Sequence, residues 1–139
     1  MRAVERHEWA RRRSSRHDEM CLAVRSHPER LFPGFIGAVR AHCEAPLGSG
    51  FVDVLAVTEA PGDEAEVAIV EVKTRHERAS GGDILRQLGW YAARLLEQRA
   101  GVKSRRVLVV EDVDGIDSAA LELVLGEGVE VLPVSWFTA

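Results

Sequence analysis

The stretch AIVEVKT, residues 68–74, decides the fold. Ala68, Ile69, Val70 and Val72 read as a buried β-strand, because such side chains suit a pleated surface covered by apolar neighbours. Yet Glu71 and Lys73 stand inside the run. Strand side chains alternate faces, so these two point the same way. A carboxylate and an ammonium set together among dry neighbours need a physical reason.

The segment upstream supplies one. FVDVLAV, residues 51–57, is a second strand by composition, and EAPGDEAE, residues 59–66, is a turn centred on Gly62. In an antiparallel pair folded there, position i faces position 124 − i. Asp53 then faces Glu71, with Cβ atoms about 4.5–5.5 Å apart, and Lys73 lies one step along the same face. Phe51, Leu55, Val67 and Ile69 share that face, so it is no solvated edge. Two opposed carboxylates there repel, and burial makes both anions costly. One acid holding a proton, Lys73 bridging the two, or a divalent cation between them would each relieve the pair. A bulge or a one-residue slip would separate it.

Further along, residues 74–82 are a polar loop. A helix starting at Asp83 as N-cap runs through ILRQLGWYAARLLEQRA and ends at Gly101, with Ile84, Leu88, Tyr91 and Leu95 on one face. RVLVV, residues 106–110, is a strand. Asp117 caps a helix over residues 118–125, and residues 129–134 form an edge strand, since Pro133 cannot donate to a ladder. Upstream, Met20, Leu22, Ala23 and Val24 suggest a short helix from His17, broken at residues 26–28 and 33–34. Residues 46–50 read as a loop. The order α-β-β-α-β-α-β implies a mixed sheet covered by helices.

Composition bounds the class. The 139 residues are 46% hydrophobic and 29% charged, which is ordinary for one soluble domain with a real core. No apolar run approaches the ~20 residues of a membrane span, so no membrane partner is expected. The first residues lack the apolar centre of a secretory signal, and the expected location is the cytoplasm. Cys21 and Cys43 are read as buried or idle thiols. The five histidines make no HxH or HExxH pattern, so no zinc site is expected. Net charge is −4, but residues 1–16 carry six arginines against two glutamates, leaving −8 for the rest. We therefore divide the chain into a basic, flexible arm (1–16) and a single domain (17–139). The arm, with Arg11, Arg12 and Arg13, is either a phosphate-binding tail or a solvated helix end.

A second motif follows the acid pair. Gln87 and Tyr91 stand four apart on the helix and share a face. Gly50-Phe51-Val52-Asp53, Glu71-Val72-Lys73 and Gln87-x-x-x-Tyr91, in that order, resemble the G-x-x-D, E-x-K and Q-x-x-x-Y motifs of the PD-(D/E)xK nuclease superfamily and its RecB-like domains. The resemblance covers roughly residues 17–110. The proline of the superfamily's name is absent, with Val52 in its place.

The resemblance implies an α/β, restriction-endonuclease-like core (α-β-β-β-α-β) with a mixed central sheet flanked by helices, its first strand near residues 39–44. It implies a metal-dependent nuclease hydrolysing phosphodiester bonds, of DNA above all. Asp53, Glu71 and the Val72 carbonyl would bind Mg²⁺ or Mn²⁺, joined by a first-helix glutamate, Glu19, with Glu29 as runner-up. Lys73 would orient the attacking water and stabilise charge. Gln87 would hold a water or the phosphate, and Tyr91 would support it. Arg75, His76, Arg78 and Arg86, with the amides of residues 80–82, are the candidate phosphate contacts. Trp90 is read as core. So small a chain needs a dimer mate, a partner subunit or the arginine-rich arm for grip on DNA. The alternatives are a non-catalytic nucleic-acid-binding or protein-interaction module on the same fold, and a plain α/β domain with a buried Asp–Lys–Glu network.

Overall fold

Alternation along the central strand sets the architecture. In the computed structural model, which describes residues 15–61, 64–75, 77 and 80–138, β3 (Glu66–Lys73) is the middle of a five-stranded sheet. Ala68, Val70 and Val72 face one layer, with Val54, Ala56, Val107 and Val109. Val67 and Ile69 face the other, with Val52, Leu108 and Val110. Both faces are covered, which is why β3 reads as a nearly continuous apolar run.

The first face is closed by α1 (Ser15–Ser26), through Met20, Cys21 and Val24, and by the short C-terminal helix α4 (Ser135–Thr138), through Phe137. The second is closed by α2 (Gly81–Gln98), through Ile84, Leu88, Tyr91 and Leu95, and by α3 (Ser118–Gly126), through Val124. Strand order is β1-β2-β3-β4-β5. β1 (Val39–Leu47), β2 (Gly50–Thr58) and β3 form an antiparallel meander; β4 (Lys103–Val110) and β5 (Glu130–Pro133) add in parallel. Pro133 lies on an edge strand, as expected.

The α/β class and the mixed sheet flanked by helices agree with the sequence reading, and so does the β2–β3 register. Val54 pairs with Val70 and Val57 with Val67, each pair summing to 124.

Residues 39–47 form a full strand, the first strand that the resemblance placed near residues 39–44 and that the order read from the pattern alone lacked. Two further expectations change. Residues 46–50 are no loop: Pro46 is in β1 and Gly50 in β2, joined by the two-residue turn Gly48-Ser49. Gly48 adopts φ +63, which a side chain would resist, and Pro46 is tolerated because β1 is an edge. The α2 helix starts at Gly81 rather than Asp83; Ser80 is its N-cap, its Oγ accepting from the Asp83 amide at 3.1 Å. Asp117 caps α3 as expected, accepting from the Ala120 amide.

Candidate metal and phosphate site

The acid pair forms where the β2–β3 ladder lets go. Cα pairing between the strands runs from Val57↔Val67 to Val54↔Val70 and stops. One step on, the Asp53 side chain fills the gap, and its Oδ2 accepts from the Val72 amide at 2.8 Å. A carboxylate thus stands in for a main-chain acceptor. On its other side Asp53 is skipped in the β1 register, where Glu44 adopts φ +49 between the pairs Cys43↔Val54 and Ala45↔Val52. A non-glycine residue in the left-handed region marks local strain beside the site.

Glu71 projects beside Asp53, and both are almost fully buried. Glu71 Oε1 lies 3.3 Å from Lys73 Nζ, so the two charges of the EVK run share a face as predicted. Its Oε2 is buried with no hydrogen-bond partner among the described residues. Burial first, then the Asp53 charge, pushes the Glu71 carboxyl up to about 8; Lys73 opposes the shift. The neutral form can share its proton with Asp53.

The α2 helix supports the pair from above. Tyr91 donates its hydroxyl hydrogen to the Phe51 carbonyl at 2.6 Å, bracing β2 two residues before Asp53. Gln87 reaches the same hydroxyl. Burial raises the Tyr91 phenol above its ordinary range. A Cβ at position 50 would meet Tyr91 Oη at 3.1 Å, so Gly50 is what lets the ring approach.

The remaining expected residues are less central. Glu19 does not join the acids: it is exposed and pairs with Arg16 at 3.2 Å. Glu29 is exposed and pairs with His27. On α1 the inward face is His17, Met20, Cys21 and Val24, and Glu19 lies about 200° around from His17 at 100° per residue. His17 is the residue that the sequence reading missed. Its Nε2 lies 3.4 Å from Asp53 Oδ2 and its Nδ1 3.7 Å from Cys21 Sγ. The i, i+4 spacing of His17 and Cys21 was the available signal. The absence of a paired-histidine pattern had pointed away from such a group. Cys21 is a buried free thiol, as expected, and donor atoms of His17, Cys21 and Asp53 all lie within 4.8 Å of one another.

Arg75 is exposed, and its amide donates to Glu111 Oε1 at 2.8 Å, while Glu111 Oε2 accepts from Arg16. These bonds hold the Glu111 carboxyl below its usual range. Beside Lys73 a cavity of about 430 Å³ opens, lined by Lys73, Thr74, Arg75, Leu108 and Glu111 among others. It lies at the carboxyl ends of the parallel strands β3 and β4, a common place for ligands in α/β sheets. Arg86 is exposed and pairs with Asp83 at 2.8 Å. Trp90 is not core: it is 37% exposed, edge-on to Tyr91, with the Arg94 guanidinium 5.2 Å from its ring. His76, Arg78 and residues 1–14 of the arm, with Arg11, Arg12 and Arg13, lie outside the described residues, whereas Ser15 and Arg16 begin α1.

The donor set fits a divalent cation. A buried carboxyl with a second carboxylate beside it offers the hard oxygen ligands that Mg²⁺ or Mn²⁺ accepts. No described helix is long and apolar enough to cross a membrane.

No protein-family model matches the chain, and no curated protein sequence is significantly similar to it. Two solved structures are. EndoMS in complex with double-stranded DNA superposes with a TM-score of 0.59 and 28% identity, over 84% of this chain and 43% of that one. EndoMS in its apo form gives 0.53 and 25%, over 87% and 47%. The chain therefore spans less than half the length of the EndoMS chains it matches. The likeness supports a nuclease-like fold.

Proposed function

We propose that the chain is a metal-dependent nuclease of the PD-(D/E)xK, RecB-like type, cutting phosphodiester bonds of DNA. The observation that carries this reading is Glu71. It is a carboxyl buried against Asp53, driven up to about 8, with one oxygen unsatisfied. A purely structural role gives no return for the cost of burying two carboxyls side by side. EndoMS, whose fold the chain shares, has been seen with double-stranded DNA, which favours DNA as substrate.

Asp53, Glu71 and the Val72 carbonyl would hold Mg²⁺ or Mn²⁺. When bound, such an ion supplies Lewis-acid neutralisation of phosphate charge and a more acidic water. The chain's own part is positional. Asp53 is locked by the Val72 amide, so its carboxylate needs no rearrangement to act as a ligand. Lys73 is held beside Glu71 and partly exposed at the cavity. There it can donate to an attacking water and to developing charge on the phosphate. Tyr91 and Gln87 fix the start of β2, and Arg75 presents a guanidinium at the rim.

The test is cleavage of single- and double-stranded DNA with Mn²⁺ or Mg²⁺, beside Asp53→Ala and Lys73→Ala. Each substitution should lower the rate by about 10²-fold or more, as for loss of a group acting on transition-state charge. Cleavage unchanged in both variants would overturn the reading. Metal binding without any cleavage would point to a non-catalytic module.

A further inference from the structure

We propose that His17, Cys21 and Asp53 form a second metal site, selective for a thiophilic divalent cation such as Zn²⁺, which competes with the Asp53–Glu71 pair by sharing Asp53. His17 and Cys21 are one turn apart on α1, on its inward face, and Asp53 meets them from β2. The three side chains are 3%, 5% and 2% exposed. Nδ1 of the imidazole looks toward the thiol at 3.7 Å and Nε2 toward the carboxylate at 3.4 Å.

One ligand atom from each lies within 4.8 Å of the others. Tetrahedral zinc, with ligand bonds of about 2.0–2.3 Å, requires donor separations of about 3.3–3.8 Å. The cluster thus needs to contract by roughly an ångström, with one ring nitrogen on the ion. A cleft of about 350 Å³ lined by His17, Cys21, Cys43 and Glu44 reaches the site from outside. It provides an access route and room for water in the fourth position.

Ligand chemistry separates this site from its neighbour. The acid pair offers hard oxygens that suit Mg²⁺, whereas a thiolate and an imidazole select Zn²⁺ or Co²⁺ and hold Mg²⁺ poorly. Binding removes the Cys21 proton to solvent. Asp53 then stands as ligand to an ion on the α1 side and is withdrawn from Glu71. Resting on the nuclease reading above, this makes a thiophilic cation an inhibitor of Mg²⁺-dependent cleavage.

Co²⁺ is the probe, used on the full chain without DNA. Binding should give one equivalent with thiolate-to-cobalt charge-transfer absorption. Glu71→Gln and Cys43→Ser should keep that band, while Cys21→Ser loses it and weakens binding by tenfold or more. No band in the parent chain, or a band lost in Cys43→Ser but kept in Cys21→Ser, would overturn the proposal. Should Cys21→Ser fail to fold, alkylation of the Cys43→Ser variant decides the matter. Zn²⁺ should slow modification of Cys21 and Mg²⁺ should not; equal rates with and without Zn²⁺ refute the site. The two readings fail separately. A cobalt thiolate band in a protein that never cuts DNA leaves this site standing. Cleavage without the band leaves only the nuclease.

Discussion

Glu71→Gln converts the raised pKa of a buried carboxyl into a stability measurement. Without metal, the folded chain holds Glu71 protonated up to about pH 8, whereas an exposed glutamate titrates at 4.5. Between those values the folded state binds one proton more than the unfolded state, so stability falls as pH rises through the window. At 1.36 kcal/mol per unit, the cost carried by Glu71 is about 1 kcal/mol at pH 5 and about 3 kcal/mol at pH 7. Glutamine keeps the volume and a donor toward Asp53 but does not titrate. Urea unfolding of both proteins in EDTA should therefore show the variant's relative advantage growing by about 2–3 kcal/mol between those pH values. In thermal melts the gap should widen by roughly 5–10 °C, at 2–4 °C per kcal/mol for a domain of this size. Added Mg²⁺ should stabilise the parent chain more than the variant at the higher pH, because it binds the ionised pair. An advantage that stays constant with pH would refute the burial argument.

Other substitutions test the supports. Tyr91→Phe removes the donor to the Phe51 carbonyl and should cost about 1–3 kcal/mol in chemical denaturation, with a loss of metal affinity as β2 loosens. Gly81→Ala places a methyl 3.1 Å from the Ala120 Cα and 3.2 Å from its carbonyl oxygen; backbone cannot yield as a side chain can, so about 1–2 kcal/mol should be lost. Gly89→Ala, in the same helix with nothing within 4 Å, should instead gain about 0.5–1 kcal/mol; the opposite signs are read from one set of melts. Glu19→Gln breaks only the exposed pair with Arg16, so stability should move by less than about 1 kcal/mol and Mn²⁺ titration should be unchanged.

The acid pair was legible because its causes are local. A turn with symmetric flanks fixes the register of Val54–Val57 against Val67–Val70, which brings Asp53 beside Glu71 although the two are not paired in the ladder. What alternation did not show is that Asp53 leaves the pleat to take the Val72 amide, which lets it meet His17 on the α1 side as well as Glu71. The Gln87–Tyr91 pairing was equally local, being one turn of helix. β1 was hidden because Arg40, His42 and Glu44 dilute its pattern on an edge strand, where half the surface stays wet. The choice of Glu19 followed residue type, whereas helix docking decides which face turns inward. Met20 and Val24 mark that face, and His17 and Cys21 belong to it. The end of α2 shows competition between two good caps: Ser80 and Asp83 both suit the role, and the serine takes it by bonding the aspartate's own amide.

The bond from the Val72 amide to Asp53 also gives the molecule a built-in reporter. Most amides in a sheet donate to a neutral carbonyl and are indifferent to events at a site. This one donates to an ionisable oxygen, so its proton senses the charge there directly. Protonation of Asp53, or capture of its carboxylate by a cation, weakens the bond and should move a single nitrogen–hydrogen cross-peak while the rest of β3 stays in place. Titrating that one peak follows the occupancy of the site with no substrate, no label and no loss of the native sequence.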